Sequence, residues 1–202
     1  MKKILICCFS IIIIGTLLIV NAPEVKENTF TEKRSVFISY IELNENINNK
    51  SVSDSKKNID LMIKNVKEMG FNEIILQVRS FCDAIYKSDI YPYSMMISKE
   101  EGVDPGYDVL EYFLEKAHNS GISLIAWINP YRVRNSRDIS SISEKSPVYE
   151  YLNSDVLYIG DGIYLNPSKK ETKKLIVDGV KELVENYSVD GVLFDDYFYP
   201  NN

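Results

Sequence analysis

Four strand-like runs alternate with stretches of helical period, and that alternation is the mark of a parallel sheet with helices packed outside it. The strands are read at Ser35 to Leu43 (SVFISYIEL), Asn72 to Arg79 (NEIILQVR), Ser123 to Pro130 (SLIAWINP) and Gly191 to Pro200 (GVLFDDYFYP). A first helix is expected from about Asp54 to Met69, with Ile59, Met62, Ile63, Val66 and Met69 on its apolar face and Gly70 as its stop. A second opens at Asp108 with Glu111 three residues on, a capping-box spacing, and buries Leu110, Phe113, Leu114 and Ala117. The third repeats the pattern, with Ser168 and Glu171 as its capping box and Leu175, Ile176, Val180, Leu183 and Val184 as its stripe.

The long connections follow strands, at Ser80 to Tyr107 and Tyr131 to Pro167, whereas the helix-to-strand turns are short. In a parallel barrel such loops gather at the C-terminal end of the strands and carry the site. Val156 to Ile159 and Ile163 to Leu165 flank Gly160-Asp161-Gly162 and predict a hairpin inside the second connection. Four strand–helix steps are half of an eight-stranded barrel, a fold of about 250 residues. The expected class is therefore α/β, a (β/α)8 TIM-barrel type with only the first four units in these 202 residues. The stop at Asn201-Asn202, directly after an apolar strand, reads as truncation, since an open half-sheet leaves two edges in want of a partner.

Ahead of this part, Lys2 and Lys3 precede a 17-residue apolar run from Ile4 to Val20. Residues 1–22 are read as a signal peptide or N-terminal membrane anchor, with the lysines cytoplasmic and the rest of the chain exported. The run lies at the lower limit for crossing a hydrocarbon core of about 30 Å. Residues 23–33 read as a linker, and the barrel is expected over 34–202.

Composition narrows the chemistry. The formal net charge is −6, and −8 without Lys2 and Lys3, with no basic block to follow a phosphate backbone; nucleic acid is not an expected partner. One histidine, His118, and three cysteines, of which only Cys82 lies beyond the apolar run, leave too few ligands for a zinc site at recognisable spacing and argue against a Ser-His-Asp centre. His118 reads as a surface or packing residue, and nothing in the sequence demands a metal or another cofactor.

The densest cluster of chemistry is Phe194-Asp195-Asp196-Tyr197-Phe198-Tyr199-Pro200. Adjacent carboxylates at a strand end need a cation, hydrogen bonds or solvent. Strand alternation allows one of them to face the barrel mouth, and Asp195 is taken as that one, with Val192 and Phe194 packing under the helices. The same rule places Gln77 and Arg79 on one face of the second strand, and Trp127 and Asn129 on one face of the third, with Tyr131 just beyond. Aromatic rings stack on sugars while amides and a guanidinium bond hydroxyls, so the constellation suits a carbohydrate. The alternative is structural: Trp127 fills the interior and Arg79 neutralises Asp195 or Asp83. Glycoside hydrolysis needs two carboxyl groups across the scissile bond. Asp195 is the candidate for one, and Glu42 and Asp83 are the available choices for the other.

Four stretches, RSVFISYIEL from Arg34, QVRSFCDAIYKSDIYPYS from Gln77, PGYDVLEYFLEKAHNSGISLIAWINPYRV from Pro105 and LNPSKKETKKLIVDGVKELVENYSVDGVLFDDYFYP from Leu165, resemble the glycosyl hydrolase-like 10 family of peptidoglycan-associated, divisome-type glycosidases. The resemblance implies the N-terminal half of a catalytic (β/α)8 barrel that hydrolyses glycan strands of the cell envelope, peptidoglycan stripped of its peptides. It carries over Asp195 and Asp196 as catalytic residues, and Arg79, Asp83, Tyr86, Asn129, Tyr131 and Arg132 as further site residues beside Trp127. Cys82, Ser80 and Leu193 depart from the glycine, proline and histidine expected at their positions. The alternative of a different class is a non-catalytic glycan-binding or cell-division scaffold protein, which wants the same aromatics and donors.

Overall fold

The computed structural model describes residues 32–152 and 156–196. The elements, in chain order, are β1 (Ser35–Ile38), α1 (Tyr40–Asn46), α2 (Val52–Glu68), β2 (Glu73–Arg79), α3 (Val109–Asn119), β3 (Ser123–Ile128), β4 (Arg132–Arg134), β5 (Val156–Ile159), β6 (Gly162–Leu165), α4 (Lys170–Asn186) and β7 (Gly191–Phe194). A single 3-10 turn, Tyr149–Tyr151, precedes β5. The apolar run of residues 4–20, the linker up to residue 31 and Tyr197 to Pro200 lie outside the described residues.

β1, β2, β3 and β7 form one sheet in that order, and every pairing is parallel. The helices cover one face. On β3 that face carries Leu124, Ala126 and Ile128, all fully buried, while Ser123, Ile125 and Trp127 alternate onto the other. Ile59, Ile63 and Val66 of α2, Leu110, Phe113, Leu114 and Ala117 of α3 and Leu183 of α4 complete the core, as their spacing predicts. The opposite face is covered along β2, where Glu73, Ile75 and Gln77 are buried, and opens toward its flanks. There Phe37 of β1, 53% exposed, meets the Trp127 ring edge-on at 5.5 Å across the intervening β2.

Several expectations are corrected. The first strand ends at Ile38 rather than Leu43, because Ser39 and Glu42 form a capping box that starts α1. Gln77 Oε1 reinforces the turn by accepting the Tyr40 N–H at 2.9 Å. Met69 caps α2 and is exposed, and Val184 on α4 is half exposed. Ser168 and Glu171 do not box α4: the N-cap is Lys169, and Ser168 Oγ donates instead to Asn166 Oδ1 at 2.8 Å. Asp108 caps α3 as read, accepting the Glu111 N–H at 2.9 Å. The last strand stops at Phe194, whose ring is 44% exposed rather than packed under helices.

The predicted hairpin is present as β5 and β6, and β4 adds to it, giving an antiparallel sheet in the order β4-β6-β5. Tyr131 accepts the Leu165 N–H at 2.7 Å, which ties the end of β3 to this second sheet.

Candidate active site

The C-terminal ends of the parallel strands converge at Trp127, Asn129, Asp195 and Asp196. Trp127 pairs in register with Leu193 on one side and Gln77 on the other, which fixes it on the face away from the helices. Past β3, Asn129 is buried, its N–H donating to Arg79 O at 2.9 Å. Its side-chain amide lies 3.5 Å from Ser80 O and donates to Asp196 Oδ2 at 3.2 Å. Arg132, the first residue of β4, forms an ion pair with the same Asp196 oxygen. Trp127 Nε1, Asn129 Oδ1 and Arg132 Nε are buried and have no hydrogen-bond partner among the described residues. Buried polar atoms without partners cost free energy that a bound polar group can recover.

The two aspartates differ from a regular strand end. Asp195 still joins the ladder, its N–H donating to Ile128 O at 3.2 Å, but Asp196 turns into the left-handed region at φ 56°. Asp196 N–H then donates to Asp195 Oδ1 at 2.7 Å. Alternation therefore stops at Asp195, and Asp196 swings toward Asn129 and Arg132 instead of away from them.

Arg79 is not at this mouth. The register shifts between Gln77 and Arg79, so Arg79 lies opposite Ile128 and shares its helix-covered face. Its guanidinium stacks 4.2 Å from the centre of the Tyr91 ring and presses on α4 at Gly179, where a Cβ would collide with it. Tyr86 is fully buried in the same layer, edge-on to Tyr187 at 5.2 Å, and burial pushes its phenol up to about 12 against the opposing pull of Arg79. Asp83 is also fully buried, with Oδ1 accepting the Phe81 N–H at 3.1 Å beside Cys82. Cys82 takes φ 60°, and burial raises its thiol to about 12, so it is inert as a nucleophile. Glu42 is engaged by Ser39; burial raises its carboxyl, but the Ser39 hydrogen bonds outweigh that and hold it below the ordinary range. Arg79, Asp83, Tyr86 and Glu42 thus support the strand ends from behind or beside them, whereas Trp127, Asn129, Arg132, Asp195 and Asp196 are brought together. Tyr131 is half-buried at the junction of the sheets.

Sequence reading did not find the buried ion pair between Arg134 and Glu101 that anchors β4 to the connection after β2. The Arg132-Val133-Arg134 alternation after WINPY is the signal for that strand. His118 does sit at the surface, where Nε2 meets Asp190 Oδ2 at 2.9 Å. Among the described residues no cluster of three or more His, Cys, Asp or Glu is placed to hold a metal ion. A cleft of about 670 Å³ lies on the outer helical layer between α3 and α4 and includes none of the strand-end residues.

Residues 32–202 match the family described as Glycosyl hydrolase-like 10. The glycosyl hydrolase YngK of Bacillus subtilis (strain 168) is 34% identical over 193 residues, covering 94% of this chain and 38% of that protein. The glycosyl hydrolase DigH of Escherichia coli (strain K12) is 34% identical over 145 residues, covering 68% of this chain and 33% of that protein. The chain thus spans between a third and two fifths of the length of these curated relatives. Among solved structures, the glycoside hydrolase domain of PgaB (BpsB) from Bordetella bronchiseptica shares the fold at a TM-score of 0.52 and 14% identity, over 83% of this chain and 45% of that one. A hypothetical protein from Ruminiclostridium thermocellum aligns equally well, with a TM-score of 0.52 and 14% identity over 82% of this chain and 78% of that one.

Proposed function

Since this chain belongs to the Glycosyl hydrolase-like 10 family, we propose that it contributes the strand-end site of a bacterial cell-envelope glycosidase acting on peptide-free peptidoglycan strands. The observation that carries the reading is the convergence of Trp127, Asn129, Arg132, Asp195 and Asp196 at the C-terminal ends of parallel strands, where barrel enzymes keep their chemistry. Trp127 offers a ring for a sugar face, the unpartnered atoms of Asn129 and Arg132 offer bonds to hydroxyl or amide groups, and Asp195 or Asp196 supplies one of the two carboxyl groups that glycoside hydrolysis needs. The four-stranded parallel sheet is read as the first four strands of an eight-stranded barrel, in keeping with the relatives' greater length. The apolar run of residues 4–20 supports export, with the domain anchored outside the membrane or secreted.

A second reading, a non-catalytic glycan-binding or division-scaffold module, is favoured by one observation: Glu42 is engaged by Ser39 and Asp83 is fully buried, so neither candidate for the second carboxyl group is both accessible and unengaged. Incubation with peptide-free glycan strands separates the two. Half a barrel with one of the two carboxyl groups is expected to be inactive alone. The catalytic reading therefore expects new reducing ends from a version extended through the remaining barrel strands and none from its Asp195→Asn variant, which still binds. Full turnover by Asp195→Asn contradicts the site assignment, and binding without any release supports the module.

A further inference from the structure

We infer that the two adjacent aspartates have different roles: Asp196 is a positioning residue held by the antiparallel sheet through Arg132, and Asp195 is the carboxylate left to react. The inference rests on the glycosidase reading of the mouth, but its geometry can be examined without any sugar. Both side chains are half-buried, so exposure does not distinguish them. Their bonding does. Asp196 Oδ2 receives the Arg132 guanidinium and the Asn129 amide, and both donors are fixed. Arg132 is in register with Tyr164 on β6, and Asn129 is anchored to the Arg79 carbonyl. A carboxylate oxygen held by a guanidinium and a second donor has its lone pairs engaged and is not the one offered to a substrate.

Among the described residues, Asp195 accepts one hydrogen bond, from the Asp196 N–H to Oδ1. That bond exists because Asp196 adopts φ 56°, a conformation that costs an aspartate little but is unusual at a strand end. The ion pair with Arg132 holds Asp196 in that turn, and the turn aims its N–H at Asp195. The chain of support therefore runs from the β4-β6-β5 sheet to Arg132, to Asp196 and finally to the orientation of Asp195. The second long connection, read from sequence as a loop with a hairpin, is on this account part of the site.

Amidation of carboxyl groups with a water-soluble carbodiimide and glycine ethyl ester, followed by peptide mass mapping, tests the division on the full chain. Asp195 is expected to label at least about fivefold faster than Asp196. Arg132→Gln should bring Asp196 up to the rate of Asp195, and Arg132→Lys should restore part of the protection, which loss of fold would not do. Circular dichroism melting of each variant separates local release from unfolding, and Asn129→Ser, which removes only the weaker donor, provides a milder second variant with a smaller gain at Asp196. Equal labelling of the two aspartates in the unaltered chain, or an Asp196 that stays protected in folded Arg132→Gln, overturns the inference. Failure of glycan turnover by a version extended through the remaining barrel strands, with the labelling contrast intact, overturns the glycosidase reading instead.

Discussion

The register shift between Gln77 and Arg79 turns a guanidinium from the face away from the helices to the helix-covered one. A slip of one residue in a strand exchanges faces for everything beyond it, and no residue in Gln77-Val78-Arg79-Ser80 announces it. The alternation rule suffices for Trp127 and fails at Arg79. The left-handed turn at Asp196 was illegible for the same reason: it depends on a partner, Arg132, 64 positions earlier in the chain. Arg79 in turn dictates Gly179. A methyl group there would meet the guanidinium and the Tyr91 ring, so Gly179→Ala should lower stability by about 1–3 kcal/mol, the usual cost of overpacking. A denaturant midpoint shifted down with an unchanged slope is the expected readout, and an unshifted midpoint contradicts the packing. Arg79→Met should change the melting temperature without changing glycan binding, which isothermal titration can measure.

At the level of elements, α2, α3 and the β5–β6 hairpin are legible because period and turn residues agree, and α4 by its period alone, its expected capping box being absent. The short α1 is not, since SYIEL satisfies strand alternation as well as a helical turn, although Ser39 and Glu42 carry the capping spacing in plain view. Ser39→Ala should destabilise the fold by about 1 kcal/mol, read as a lower urea midpoint. The entry to β7 carries a pH dependence. Burial raises the Asp190 carboxyl, but the Leu124 N–H at 2.7 Å and then His118 outweigh it and hold the group below its ordinary value of 3.8. A depressed carboxylate stabilises the fold above its unfolded value and loses that contribution as pH falls through the folded one. Asp190→Asn should therefore melt lower than the unaltered chain at pH 7, by no more than about 1 kcal/mol once solvent screening of this part-exposed group is allowed for. The gap should close as the buffer is taken below 3.8, and a gap independent of pH contradicts the assignment.

For the whole molecule, the parallel α/β plan and the family were legible because four motif-bearing stretches keep their order and spacing across nearly the whole described region. The antiparallel sheet β4-β6-β5 was only half legible, because β4 has three residues and is defined by its partner rather than by its own pattern. The C-terminal strand ends, where Trp127 lies beside the last strand, form the surface on which a glycan is proposed to lie. Trp127 is the one tryptophan in the chain, so its emission reports on that surface alone. The most direct measurement is a titration of Trp127 fluorescence with peptide-free peptidoglycan oligosaccharides. The account predicts a saturable change in intensity or wavelength that is weakened at least about tenfold by Asn129→Ala. A folded chain whose emission stays flat up to millimolar oligosaccharide would contradict the claim that these strand ends receive a glycan.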